Sequence, residues 1–281
     1  MLTSQDWCAR RGSNPQPSPS EGDALSIELR AQSAASVPHF SDTIAVMKDY
    51  PLRDLQTLAD PKKAAFVRTF FKTGKGEYAE GDIFLGISVP DIRILAKKYA
   101  DLSLLEVRKL LAEKYHEARL LALIILTMKY AKAEEKKKKD IVDCYCSQFR
   151  RMNNWDLVDC SASQILGAHL LTRKRAILLT YAKSHHLWTQ RIAIVSTYAF
   201  IRHNEFQDTL RISKLFLTHK HDLIHKATGW MLREVGKRNI GTLRTFLDQY
   251  ASVMPRTMLR YSIEKMSPEE RRIYLTKKRS A

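Results

Sequence analysis

From Pro51 onward, apolar residues recur at spacings of three and four, and no long alternating run appears. That period fits the 3.6-residue turn of an α-helix and not the two-residue period of a half-buried strand. The pattern predicts about twelve helical segments joined by short links. Several boundaries carry capping chemistry. Ser88 precedes Val89, Pro90 and Asp91, so a hydroxyl acceptor, a proline and an acid meet at one helix start, with Ile92, Leu95 and Ala96 on one face. Asn153 or Asn154 can cap a helix beginning at Trp155, and Pro255 and Pro268 mark two further boundaries.

Four of these stretches resemble one another. They begin at His116 (HEARLLA), Asn154 (NWDLVD), Trp188 (WTQRIAI) and His225 (HKATGWM), at intervals of 38, 34 and 37 residues. A period in the thirties with two helices per unit predicts an all-α, HEAT-like α-solenoid of antiparallel helix pairs, whose inner helices line a concave groove. An irregular helical bundle with accidental spacing is the alternative.

Composition agrees. Apolar residues make up 44% of the 281, enough for a packed core, while only 10 glycines and 9 prolines argue against turn-rich β architectures. The longest apolar run, Leu120 to Leu126, is too short to cross a bilayer, so no membrane association is expected.

The first 46 residues differ in kind. They hold four of the nine prolines, eight serines and no sustained hydrophobic period, and they lack the basic and apolar regions of a secretory signal. Residues 1–46 are therefore expected to be disordered. A second reading is that ArgArgGlySerAsnPro (10–15) is the translated complement of a transfer-RNA T-arm, which makes the extension spurious and Met47 the natural start. Residues 47–281 form the domain.

Charge sharpens this division. Against a net +17 for the chain, residues 1–46 carry −2 and the remainder +19. A body so basic points to a polyanionic partner and makes the expected groove a basic one. Lys136–Lys139 read as a solvated helix start. Cations spread once per repeat suit a phosphate backbone better, namely Arg173, Lys174 and Arg175, then Lys220, then Arg233, Lys237 and Arg238, then Arg256 and Arg260. Thr73–Gly76 could offer backbone amides to a phosphate but lacks the spacing of a nucleotide-binding loop. No metal site is expected. Cys144-x-Cys146 lacks a second ligand pair at zinc-finger spacing, His219, His221 and His225 lack an acidic third ligand, and the cysteines fit reduced thiols.

The chemistry-bearing residues cluster on the repeated helices. Trp155 and Asp159 stand four apart on one helical face, Trp188 and Arg191 open the next repeated helix, and Trp230 with Arg233 lies on the one after. Each has an ordinary explanation as packing or pairing. Together, an indole beside a carboxylate with further aromatics and an Arg on neighbouring helices is unusual for a core.

Four ordered segments, Phe84–Ile87, Asn154–Asp159, Trp188–Ile194 and Gly229–Glu234, resemble the AlkD-like DNA alkylation repair family of HEAT-repeat DNA glycosylases, over about residues 52 to 265. The resemblance implies that Asp159 is the catalytic acid residue and Trp155 its aromatic partner, that Arg191 is the active-site arginine, and that Trp230 is a second DNA-facing indole. It places an active-site aromatic near Tyr78, with the spacing off by about one residue. Trp188, Arg233, Lys237 and Arg173–Arg175 are the expected DNA contacts. The implied activity is hydrolysis of the N-glycosidic bond of positively charged N3- or N7-alkylated purines in duplex DNA, during base excision repair. Alkylation makes the base a good leaving group, so one carboxylate can suffice where a glycosidase ordinarily uses two. No cofactor is required, and no lysine in the constellation means no Schiff-base lyase step. A cytoplasmic, nucleoid-associated monomer is expected. The competing reading is a catalytically silent helical-repeat binder of DNA or RNA, which accounts for the charge equally well but not for a carboxylate facing phosphates.

Overall fold

The computed structural model describes residues 51–277; expectations for the first 46 residues lie outside them. Among the described residues the regular structure is helical, with a single isolated bridge between Ile83 and Tyr115. A helical stretch at 51–57 is followed by α1 (Pro61–Arg68), α2 (Val89–Lys98), α3 (Leu104–Leu111), α4 (His116–Lys132) and α5 (Glu135–Ser147). Then come α6 (Trp155–Asp159), α7 (Ala176–Ala182), α8 (Leu187–Ser196), α9 (Gln207–Leu215), α10 (Asp222–Arg238), α11 (Ile240–Tyr250), α12 (Arg256–Ser262) and α13 (Pro268–Thr276). The chain is an all-helical, α-solenoid-like stack.

The repeated motifs head the helices that build the stack. α4, α6, α8 and α10 open at or within a few residues of the four motif starts and pack in chain order, with α12 beyond them. The intervening α3, α5, α7, α9 and α11 pack on those inner helices from outside. Helix ends follow the caps written in the sequence. The Ser88 hydroxyl accepts from Asp91 N–H, and the Ser267 hydroxyl caps α13, whose first residue is Pro268. Ser103 and Glu106 form a reciprocal capping box on α3. A continuous core of Leu, Ile, Val and aromatic side chains runs from Leu55 to Tyr274.

The α1–α2 connection positions the site. It carries Phe71 and Tyr78 and returns as PheLeuGlyIle, residues 84–87. Gly86 has φ +80°, and a Cβ there would lie 2.3 Å from the Asp60 carbonyl oxygen and 2.4 Å from the Ala64 nitrogen. Only glycine fits, because the backbone turns left-handed while touching the start of α1. The amides of Leu85 and Gly86 both donate at 2.8 Å to the carboxylate of Glu117, a buried residue in the first turn of α4. The segment is thus tied to both ends of the fold's N-terminal half.

Gly86→Ala should lower stability by about 3 kcal/mol, a fall in melting temperature of roughly 6–12 °C. Gly76→Ala shares the positive φ, at +77°, but meets open space. It should lose only about 1 kcal/mol. Equal losses in thermal melts would show that contact with α1 contributes nothing.

Candidate active site

α6 is short and set by its first residues. The Asn154 side chain accepts from the Trp155 amide at 2.8 Å, and Asp156 Oδ1 accepts from the Leu157 amide at 2.8 Å. The run then continues through a π-helical turn, Ser163–Gly167, to Leu170. Gly167 allows this run to touch the Ser196 carbonyl, where a Cβ would lie 2.3 Å away.

Trp155 and Asp159 share the face turned toward α8, as their spacing requires. Arg191 grips Asp159 with a two-pronged fork, Nε to Oδ1 at 2.9 Å and Nη2 to Oδ2 at 2.8 Å. Its third prong, Nη1, donates to the Leu223 carbonyl in the first turn of α10 at 2.5 Å. The two side chains are only 6% and 5% exposed. The fork therefore works where water screens it little, and it fixes the carboxylate plane.

Aromatic rings lie on the same two helices and on the α1–α2 connection. Phe71 stacks on Trp155 with centroids 5.2 Å apart, and Tyr78 meets Trp188 edge-on at 5.6 Å. The half-buried Tyr78 hydroxyl lies beside the Trp155 side chain and the Lys72 backbone, and burial pushes its pKa above the ordinary value. Burial lowers the pKa of His221, and for Asp222 burial is outweighed by pairing with Lys226, which lowers its pKa; the charge of Lys72, which also comes to this rim, adds a little to both.

Behind Trp155 lies a buried ionic network. Asp82 accepts from Arg119 at 2.5 Å and from Asn153 at 2.6 Å, and His116 stands between Asp82 (Nδ1, 3.4 Å) and Asp156 (Nε2, 2.7 Å). Burial opposes the charged imidazole, but these carboxylates outweigh it and raise the His116 pKa to about 9.

The structure thus brings together Trp155, Asp159, Arg191, Trp188 and Tyr78. Trp230 stands seven residues beyond Leu223, about 10 Å along α10. It packs against Tyr198 at 6.1 Å, and its buried indole N–H has no partner among the described residues. Several expected DNA contacts are engaged elsewhere. Arg233 is buried and pairs with Glu264 at 2.5 Å and Glu234 at 3.2 Å; Lys237 pairs with Glu234 at 2.8 Å. Arg175 pairs with Glu205 at 2.7 Å and Asp208 at 3.2 Å, and lies 3.9 Å over the Phe200 ring. Arg173 pairs with Glu135 at the far end of the helical run from Asp159, and the neighbouring Lys174 is exposed. The amides of Gly74 and Gly76, considered as phosphate ligands, are instead taken by the carboxylates of Glu77 and Glu80 at 2.8 Å. His221 is the cap of α10 rather than part of its face, and no group of three metal-ligating side chains occurs among the described residues.

Phe71, Asp82, His116 and Asp156 escaped sequence reasoning. His116 and Asp156 both lie inside repeated motifs, which was the available signal. Arg93 and Lys97 line a cavity of about 370 Å³ between α2, α4 and α6, bordered by Asp156 and Cys160. Lys138 and Arg202 line a second, of about 400 Å³, that shares Thr127 and Gln164 with the first.

Replacing Arg191 with Met leaves a buried carboxylate without its cation and should cost about 3–5 kcal/mol in urea unfolding. Adding Asp159→Leu should recover most of that loss. A double variant whose loss is the sum of the two single losses would show that the pair is not coupled.

A family model described as DNA alkylation repair enzyme matches residues 52–266. Among solved structures, a predicted DNA alkylation repair enzyme from Enterococcus faecalis superposes with a TM-score of 0.60 at 15% identity, covering 75% of this chain and 97% of that one. At that identity the likeness is one of fold. No curated protein matches the chain. The family match takes in every residue of the fork and of the site's aromatic rings, and the chain belongs to the DNA alkylation repair enzyme family.

Proposed function

We propose that the protein is a monofunctional DNA glycosylase that releases positively charged N3- or N7-alkylated purines from duplex DNA. The observation that carries this reading is the buried Asp159–Arg191 fork on the two helices that carry Trp155 and Trp188, with Tyr78 against both indoles, inside the span of the family match.

The chemistry asks little of the protein. The glycosidic bond breaks with its electron pair leaving on the base, which neutralises the cationic purine. The sugar is left as an oxocarbenium-like cation, and water adds to it with loss of a proton. Asp159, held in one orientation by Arg191, stabilises that cation and orients the water. Its negative charge acts more strongly here than in bulk solvent because burial limits screening. The partly exposed ring of Trp155 favours a cationic group by about 0.5–2 kcal/mol, whereas Trp188, expected as a DNA contact, is buried against Tyr78. Trp230 and Tyr78 complete the aromatic lining in this reading. Base excision repair in the nucleoid is the setting that such an activity fits, with the chain acting as a monomer.

Duplex binding falls to exposed cations. The two contiguous cavities along α2, α4 and the α6 run carry Arg93, Lys97 and Arg202 and open beside Cys160, the residue next to Asp159. They suit a HEAT-like groove that tracks a phosphate backbone. The engaged side chains of Arg233, Lys237, Arg173 and Arg175 serve the fold first.

Asp159→Asn should slow release of 7-methylguanine from methylated duplex by roughly 100-fold or more. Unchanged release from a folded variant would remove Asp159 from the mechanism, and no release from the wild-type protein would leave a silent DNA binder. Removing Arg93 and Lys97 together should weaken duplex binding and flatten the log–log salt dependence by about one unit per lost phosphate contact. An unchanged slope would move the duplex to another face.

A further inference from the structure

We infer that His116 is a positioning residue for Trp155, acting as the cationic anchor of a cluster of four rings that ends at the candidate active site. The inference rests on the glycosylase reading for its catalytic consequence, though its structural half can be read without activity.

The cluster is explicit. The imidazole of His116 lies against Phe84 with centroids 4.6 Å apart and planes 27° apart. Phe84 stacks on Phe71 at 4.9 Å and 16°, and Phe71 on Trp155 at 5.2 Å and 27°. His116 also touches Phe71 directly, with centroids 5.4 Å apart and planes tilted by 41°, so His116, Phe84 and Phe71 close a triangle and Phe71 links it to Trp155. Three separated pieces of chain contribute, namely the α1–α2 connection, the first residue of α4 and the first residue of α6. The first two are also tied by the bridge between Ile83 and Tyr115, with the His116 amide donating to the Ile83 carbonyl at 2.8 Å. Rings in mutual contact restrict one another's tilt, and Phe71 passes that restriction to Trp155.

His116 is held far more firmly than a packed ring requires. Its two nitrogens face carboxylates on different elements, Asp82 in the α1–α2 connection and Asp156 in α6. Its neighbours on α4 are the buried Glu117, which grips the Leu85 and Gly86 amides, and Arg119, which pairs with Asp82. The charged groups facing the ring are therefore Asp82, Asp156, Glu117 and Arg119. Two carboxylates bridged by one ring require both nitrogens to carry protons. The resulting cation also sits on the Phe84 face, where it is attracted to the π system. Asp156 adjoins Trp155 in sequence, so the same ion pair anchors the backbone carrying the indole. The indole is thus held twice, once through its backbone and once through its ring.

The pH dependence follows from the raised pKa. The ordinary value of 6.5 rises to about 9, so the ring in the folded protein stays charged across the neutral range. The stability it adds is complete below about 6.5 and is lost progressively as pH rises through about 9. Positioning of Trp155 should hold until the folded ring itself loses its proton.

The test uses the full chain, methylated duplex DNA and two variants. Phe71→Leu removes the ring that links His116 to Trp155 and leaves every ion pair in place, whereas His116→Gln removes the charge. Both should cut single-turnover base release at saturating DNA by roughly tenfold or more, with duplex affinity changed less than about twofold. A merely structural residue would not give that split at equal folded fraction. In wild type, nitrogen-15 spectra should report a doubly protonated His116 ring at pH 7.5, and the Trp155 indole resonance should move as that ring titrates near pH 9. A neutral ring at pH 7.5, an indole signal indifferent to the titration, or full release rates in Phe71→Leu would overturn the inference. If His116→Gln does not fold, the wild-type spectra and Phe71→Leu decide it. If wild type releases no base, the glycosylase reading fails alone, and the two spectroscopic signals still judge the cluster.

Discussion

The first turn of α4 buries three polar side chains, His116, Glu117 and Arg119, and the rest of the site hangs on how they are satisfied. A buried charge without partners costs several kcal/mol, so each must meet a complementary group brought by another part of the chain. Glu117 finds the amides of Leu85 and Gly86, Arg119 finds Asp82, and His116 finds Asp82 and Asp156 together. Those demands fix the α1–α2 connection and the start of α6 against α4. Phe71, Phe84 and Trp155 then stack because their backbones are already placed.

A second buried pair, Asp159 with Arg191, joins α6 to α8, and the arginine's remaining prong reaches α10. One guanidinium thus ties together three consecutive inner helices. A lysine could not do this, since a single ammonium lacks the planar fork that engages both carboxylate oxygens while keeping a donor free for Leu223. The arrangement serves folding and the proposed reaction alike. Folding needs the carboxylate neutralised, and the reaction needs it rigid and poorly hydrated.

The basic balance of the chain works differently from its tally. Clusters that look like phosphate contacts are partly consumed within the fold: Arg173, Arg175 and Arg233 face carboxylates from other parts of the chain, and Lys237 faces Glu234 on its own helix. Exposed cations such as Arg93, Lys97 and Arg202 line the two cavities beside α4. The field offered to a polyanion is set by what the acids leave over, and the acids are placed by packing.

The helical period, the caps at Ser88, Asn154 and Ser267 and the recurrence of the inner-helix motif were all legible in the sequence, because each depends on neighbours within a turn or two. Trp155 and Asp159 sharing a face followed from the same local geometry, whereas the pairing of Arg191 with Asp159, 32 residues away, is a tertiary contact. Tertiary structure alone decided that Arg233 is buried against Glu264, that Glu77 and Glu80 occupy the glycine amides, and that His116 bridges two aspartates 34 and 40 residues away. Helix propensity is read over short windows, whereas a buried charge takes whichever partner the packed chain delivers, and no spacing along the sequence encodes that choice.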